Sequence, residues 1–159
     1  MRITILCVGK IKEKYLQMGI AEYAKRLGRY IKLDIPEVPD EKTPDGASPA
    51  QEARIRDIEG ERLLKHIRPD DFVITMAIDG QMLDSVALSR QIESWGVQGK
   101  SHLVFVIGGS LGLSEAVLQR GDYALSFSKL TFPHQLMRMI LLEQIYRSYR
   151  IMNHEPYHK

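Results

Sequence analysis

The chain has 159 residues, of which 44% are hydrophobic and 26% charged, and a formal net charge of +2. Its length fits one domain, residues 1–159, able to bury a real core, and the composition is ordinary for a soluble globular protein. No apolar run is long enough to span a bilayer, and so small a net charge does not by itself announce nucleic-acid binding.

Met1–Val8 reads as a buried strand. It is too short for a secretory signal, and charged Lys10, Lys12, Glu13 and Lys14 follow without a small-residue cleavage site. Cys7, the only cysteine, cannot form an internal disulfide; it reads as a small core residue and fits a reducing cytoplasm. Lys12–Leu27 has Leu16, Ile20, Tyr23 and Leu27 at helical spacing, with Gly28 as a stop. Lys10, Lys12, Lys14, Arg26 and Arg29 form either a solvated face or a set of phosphate contacts. Ile31, Leu33 and Ile35 alternate with polar residues, predicting a half-buried strand over Ile31–Glu37.

Pro36, Pro39, Pro44 and Pro49, with Asp45-Gly46 among them, mark a loop, either a connector or a flap. Ser48 is placed to cap a helix over Pro49–Ile67, with Ile55, Ile58 and Leu63 on its apolar side. Pro69-Asp70-Asp71 breaks the chain before a buried strand, Phe72–Ile78, that ends near Asp79-Gly80. Met76, near the end of that strand, reads first as core packing. Asp84 caps a helix carrying Leu88, Ile92 and Trp95 on one face, and Gly96 and Gly99 end it.

Leu103–Ile107 is an unbroken apolar run, suited to a strand buried on both faces. The turn Gly108-Gly109-Ser110-Leu111-Gly112-Leu113 follows at once. Its spacing is neither a dinucleotide fingerprint nor a P-loop. It is either a plain turn or a place where a ligand approaches the backbone. A short helical piece, a strand over Tyr123–Phe127, the loop Ser128–His134, a long helix from about Gln135 to Met152 and a tail to Lys159 complete the chain. Strands and helices alternate, which predicts an α/β fold with a mostly parallel sheet. Ligands of such sheets bind beyond the carboxyl ends of the strands. The loops at Gly108 and Ser128 are therefore candidate walls of one pocket.

The last helix carries two apolar stripes. Leu136, Met139, Leu142 and Tyr146 form one, and Met137, Leu141, Ile145 and Tyr149 the other; Glu143, Arg147 and Arg150 share the polar face. An arc that wide needs cover on more than one side, and a second copy of the chain is the expected cover. The five histidines, His66, His102, His134, His154 and His158, show no metal-ligand spacing, so no metal is expected.

Three stretches, Val104–Ser110, Ser126–His134 and Pro156–Lys159, together with the opening Ile3–Lys10, resemble the SPOUT methyltransferases. Among these the similarity is greatest to bacterial enzymes that methylate a pseudouridine of 23S ribosomal RNA. The resemblance runs the whole length. It implies a single-domain fold with a carboxyl-terminal trefoil knot, and S-adenosyl-L-methionine bound at Met76, Gly108, Phe127, Ser128, Lys129, Leu130, Thr131 and Phe132. It also implies a homodimer whose site is completed across the interface, with ribosomal RNA in the assembled particle as target. It gives the terminal Pro156–Lys159 a functional part.

The acceptor would be N3 of a uracil-type ring, a poor nucleophile until its proton is lost. His158 is then a candidate base. Arg147 is a candidate for stabilising the anion or binding phosphate, and Tyr157 for orienting or stacking on the ring. Two other readings stand beside this one: a non-catalytic ribosome-binding module that keeps the fold, and an enzyme for another nucleotide-like ligand.

Overall fold

The computed structural model describes residues 1–159. Six strands form one sheet: β1 (Arg2–Val8), β2 (Lys32–Asp34), β3 (Glu37–Val38), β4 (Phe72–Met82), β5 (His102–Ile107) and β6 (Tyr123–Ser126). Their order is β2-β1-β5-β4-β6, with β3 also paired to β1, and every pairing is parallel. Five helices connect them: α1 (Lys14–Leu27), α2 (Pro49–Leu64), α3 (Ser85–Val97), α4 (Glu115–Arg120) and α5 (His134–Met152).

The alternation of side chains along the strands builds two cores. Ile3, Ile5 and Cys7 of β1 face the same way as Leu103, Phe105 and Ile107 of β5, and pack with Leu27, Trp95, Leu141 and Ile145 from α1, α3 and α5. Leu6, Val8, Val104 and Val106 face the other way, against Leu63 of α2 and Val117 of α4. Cover on both faces is why β1 and β5 are apolar without a break. Each fully buried Leu, Ile or Phe contributes about 1.5–3 kcal/mol of transfer free energy.

Two helix starts follow from their capping residues. Ser48 Oγ accepts the N–H of Gln51 at 3.1 Å, and the Gln51 side chain accepts the N–H of Ser48 at 2.8 Å. Asp84 Oδ1 accepts the N–H of Ala87 at 2.7 Å. No helix is long and apolar enough to cross a membrane.

Several expectations are corrected. The strand predicted over Ile31–Glu37 is two short strands, because Pro36 has no N–H to give and instead offers its carbonyl to the N–H of Cys7 at 3.1 Å. β4 does not stop near Asp79-Gly80. It runs to Met82, with a register shift between Met76 and Gln81 where it pairs with β6. A Cβ on Gly80 would lie 2.7 Å from the Ala124 carbonyl carbon, so a glycine is needed there. Gly96 lies inside α3, and Gly99, at φ +88°, makes the turn that ends it. α1 starts at Lys14 rather than Lys12, and α2 ends at Leu64 rather than Ile67.

The wide apolar arc of α5 also has another cause. α1, α3 and β5 all pack on it within one chain. Leu141, Leu142 and Ile145 are fully buried there, so they need no second copy to cover them.

Candidate active site

The sheet order sets the carboxyl ends of β5, β4 and β6 side by side. A cavity of about 650 Å³ opens there, walled by Met76–Ile78, the turn after β5 and the loop after β6. Met76, Gly108, Phe127, Ser128, Leu130, Thr131 and Phe132 all line it. Lys129 does not line it and is exposed. Ser110, Leu111, His134 and Met137 line it as well, though the sequence reading did not single them out.

Both loops are held by their own atoms. Gly112 donates its N–H to Gly109 at 3.1 Å, and at φ +85° it closes the turn after β5. A Cβ on Gly108 would lie 2.7 Å from the Gly112 carbonyl carbon and 3.1 Å from Leu113 Cδ2. The sequence leaves this glycine as either a plain turn or the approach of a ligand. The folded-back turn already requires it. In the other loop, Ser126 Oγ donates to the Ser128 carbonyl at 3.1 Å, and Ser128 Oγ accepts the N–H of Leu130 at 3.0 Å. The Leu130 side chain is thereby held out at the mouth, 70% exposed.

His134 opens α5 and is half-buried in the cavity wall. Burial and the neighbouring Arg138 cation hold its imidazole below the usual histidine value. Arg138, four residues on, is 3% exposed. Its guanidinium donates to Glu37 Oε2 at 2.5 Å and to the Gly9 carbonyl at 3.2 Å. Glu59 lies behind the glycine turn. Its Oε1 has no partner and would lie 3.1 Å from a Cβ on Gly109, and burial raises its carboxyl above the ordinary range.

The three residues expected to be catalytic lie together at the other end of α5. Arg147 donates to Glu143 Oε1 through Nε at 3.0 Å and Nη2 at 2.5 Å. Tyr157 donates its hydroxyl to the same oxygen at 2.9 Å. The Arg147 guanidinium lies 4.6 Å from the Tyr157 ring centre, and its Nη1 is 3.2 Å from His158 Nδ1. A guanidinium can only donate, so Nδ1 accepts and the proton of a neutral His158 sits on Nε2. In that tautomer the free edge of the ring is a donor.

Burial, and then the Glu143 hydrogen bond, push the Tyr157 phenol upward, so it stays protonated at neutral pH. The tail does not leave α5 in an extended path. His154 turns at φ 55°, and Arg150 Nη2 then holds the Pro156 carbonyl at 2.9 Å. The sequence reading placed Glu143 on the polar face but gave it no role; its i,i+4 spacing to Arg147 was the available signal.

One chain does not join the two groups. His134 and Arg147 stand roughly 20 Å apart along the helix axis at 1.5 Å per residue. No group of three or more His, Cys, Asp or Glu side chains is arranged to hold a metal.

The family model described as Predicted SPOUT methyltransferase matches residues 1–158. The Ribosomal RNA large subunit methyltransferase H of Bifidobacterium adolescentis is 62% identical over 159 residues, covering all of both chains. The protein of the same name from Clostridium tetani is 58% identical, again over the full length of both. Among solved structures, a methylase family protein from Haemophilus influenzae aligns with 99% of this chain and 70% of its own, at 15% identity and a TM-score of 0.56. A candidate methyltransferase from Legionella pneumophila, solved with bound cofactor SAM, aligns with 94% of this chain and 66% of its own, at 9% identity and a TM-score of 0.51. At such identities the likeness speaks to the fold alone. With a parallel α/β sheet, the glycine turn after β5 and a match along nearly its whole length, this chain belongs to the SPOUT methyltransferase family.

Proposed function

We propose that this protein uses S-adenosyl-L-methionine to methylate N3 of a pseudouridine in large-subunit ribosomal RNA, acting on the assembled particle in the cytoplasm. The observation that carries the reading is the cavity at the ends of β4, β5 and β6. Seven of the eight residues expected to bind the cofactor line it. Its volume suits a nucleoside-sized ligand. Backbone groups of residues 127–132 suit the edge of an adenine, and Met76, Leu130 and Phe132 suit its faces. The cofactor would supply an activated methyl group and needs no metal. Full-length relatives named as ribosomal RNA methyltransferases support the same substrate class.

The working unit in this reading is a homodimer. The cofactor cavity and the cluster of Glu143, Arg147, Tyr157 and His158 lie at opposite ends of α5, and a partner copy would bring its tail to the cavity. Exposed Tyr15 and Met18 on α1 offer apolar surface for that contact, at 69% and 71% exposure. In the completed site Tyr157 and Arg147 hold the RNA, and His158 presents Nε2–H to it. The family's trefoil knot would fall in the segment from β5 to α5.

Methyl transfer from labelled S-adenosylmethionine to ribosomes from a strain lacking the enzyme tests the reading. Incorporation at one pseudouridine is the expected result. Cofactor binding without any transfer would favour the ribosome-binding module instead.

A further inference from the structure

We infer that the polar cleft beside the cofactor cavity seats the uracil-type ring of the target nucleotide, and that His134 takes the N3 proton. The inference rests on the methyl transfer proposed above and names the residue that would prepare the acceptor.

The cleft is a second cavity of about 560 Å³ between the end of β1, β3 and the start of α5. Its character differs from that of the first. Val38 is the one hydrophobic residue among the ten that line it, whereas ten of nineteen are hydrophobic in the cofactor cavity. A ring with two carbonyls and imide N–H groups needs polar walls, and an adenosine face needs apolar ones. Lys10 and Lys12 stand exposed at the cleft, in reach of a flanking phosphate. His134 lines both cavities, and no other residue does. A group at such a partition can draw the N3 proton into the cleft first, and the methyl then enters from the cofactor cavity along the in-plane direction the proton has left.

The imidazole is equipped for that work. Its surroundings supply charges from Arg138, Asp40 and Glu13 but no hydrogen bond, so its nitrogens are not committed within the chain. Glu37, Lys10 and Lys12 are the other charged groups of the cleft. Arg138 cannot swing away, because Glu37 and the Gly9 carbonyl hold it. Burial first, and then this cation, disfavour a positive charge on His134 against the opposing pull of Asp40 and Glu13, which keeps the ring neutral and able to accept a proton near pH 7. His158 is the less suitable base, since Arg147 already occupies its acceptor nitrogen.

The step balances as follows. The N3–H bond gives its proton to an imidazole nitrogen of His134. The N3 lone pair forms a bond to the methyl carbon, whose bond to sulfur breaks with the electron pair left on sulfur. His134 then returns its proton to solvent through the open cleft.

The test is His134→Gln in the full-length protein, with single-turnover methyl transfer on ribosomes lacking the modification and calorimetry with S-adenosylmethionine. The rate at neutral pH should fall about 10²–10⁴-fold, the usual worth of a general base, with cofactor affinity close to wild type. The wild-type rate should fall as pH drops through a value below 6.5, and the variant should lack that limb. NMR titration of the His134 ring, which needs no turnover, should place its midpoint below 6.5. Lys12→Glu should raise KM for ribosomes and leave cofactor affinity alone. An active wild type with an equally active His134→Gln variant would overturn the inference and leave the proposed function standing. So would a rate loss matched by an equal loss of cofactor affinity, a midpoint above 6.5, or an unchanged KM in Lys12→Glu. A wild type that transfers no methyl to ribosomes would remove the proposed function itself, and this inference with it.

Discussion

The Tyr157 hydroxyl donates to Glu143 Oε1 at 2.9 Å, and that oxygen also takes two N–H groups of Arg147. One carboxylate thus fixes the ring and the cation of the terminal segment. The Tyr157 ring also packs edge-on against Tyr146 at 4.9 Å. The tail is built into the end of α5 rather than frayed from it.

Glu143→Gln removes the charge that four donors share, three on Oε1 and the Gln144 amide on Oε2 at 2.8 Å. Turnover on ribosomes should drop about 10- to 100-fold, equivalent to about 1.4–2.7 kcal/mol, with cofactor affinity unchanged. Ultraviolet titration should show the Tyr157 phenol ionising at lower pH than in wild type, since part of its upward shift comes from Glu143. Deleting Pro156–Lys159 should go further, nearly abolishing transfer while sparing the fold and cofactor binding. A truncated enzyme with full turnover would leave the tail with a structural role alone.

Gly108→Ala and Gly112→Ala should differ in kind. A methyl on Gly108 would meet the Gly112 carbonyl, so the turn must open and the cavity wall must move. Cofactor affinity should fall at least about tenfold, or roughly 1.4 kcal/mol, in a protein that still folds. A methyl on Gly112 meets nothing within 4 Å, but its φ of +85° costs about 1–2 kcal/mol for any residue with a side chain. That variant should lose stability more than affinity. Calorimetry and thermal melts on the two variants separate the effects, and full affinity in Gly108→Ala would take the turn out of the binding site.

Legibility in the sequence followed burial. β1 and β5 could be read because sheet and helices bury them on both faces, which leaves an unbroken apolar run. The break at Pro36 had a signal in the sequence, a proline with no N–H to give inside the predicted strand, whereas the extension of β4 could not be read, because its partner on β6 sets that limit. The girth of α5 was visible in its two stripes, but periodicity says how much of a helix is buried and not what buries it. The pocket residues came from motif resemblance, and of the two readings of Gly108 the plain turn is by itself enough to require a glycine. His134 stood in the same motif without any spacing signal. Its importance comes from a second cavity that long-range folding brings against α5.

Glu59 gives a stability prediction with a definite sign. Burial raises its carboxyl, and the charges of Asp40 and Glu41 add to the shift; the Glu41 N–H, donated to Oε2 at 3.0 Å, and Arg62 oppose it. A raised folded-state value means that the favourable, protonated form is fully present below the ordinary 4.5 and is lost as pH rises through the higher folded value. Glu59→Gln should therefore melt higher than wild type near pH 7, by roughly 2–4 °C for a gain of about 1 kcal/mol. The difference should close below about pH 4.5. An equal melting temperature at neutral pH would show that the unpartnered Oε1 is satisfied by water or by motion of the glycine turn.

The last prediction separates folding from assembly. Leu141 and Ile145 are fully buried between the sheet and the helices of one chain, so Leu141→Glu buries an unpaired charge in the core. It should cost about 3–5 kcal/mol and leave little folded protein, whatever the oligomeric state. It therefore cannot probe an interface. Tyr15 and Met18 can, because both side chains are mostly exposed on α1 and neither belongs to the buried core. α1 also lies close on α5, where a Cβ on Gly19 would overlap Met139 Sδ, so the patch and the helix bearing the tail move as one body. Changing Tyr15 and Met18 together to Glu should spare the thermal stability of the monomer fold and its glycine turn. It should turn a wild-type dimer into monomers in sedimentation at micromolar concentration. Methyl transfer should fall with the dimer, since each cavity would lose the partner's Arg147, Tyr157 and His158. A double variant that remains dimeric would move the interface to another face. A wild-type monomer with full turnover would mean that one chain closes the distance along α5 by itself.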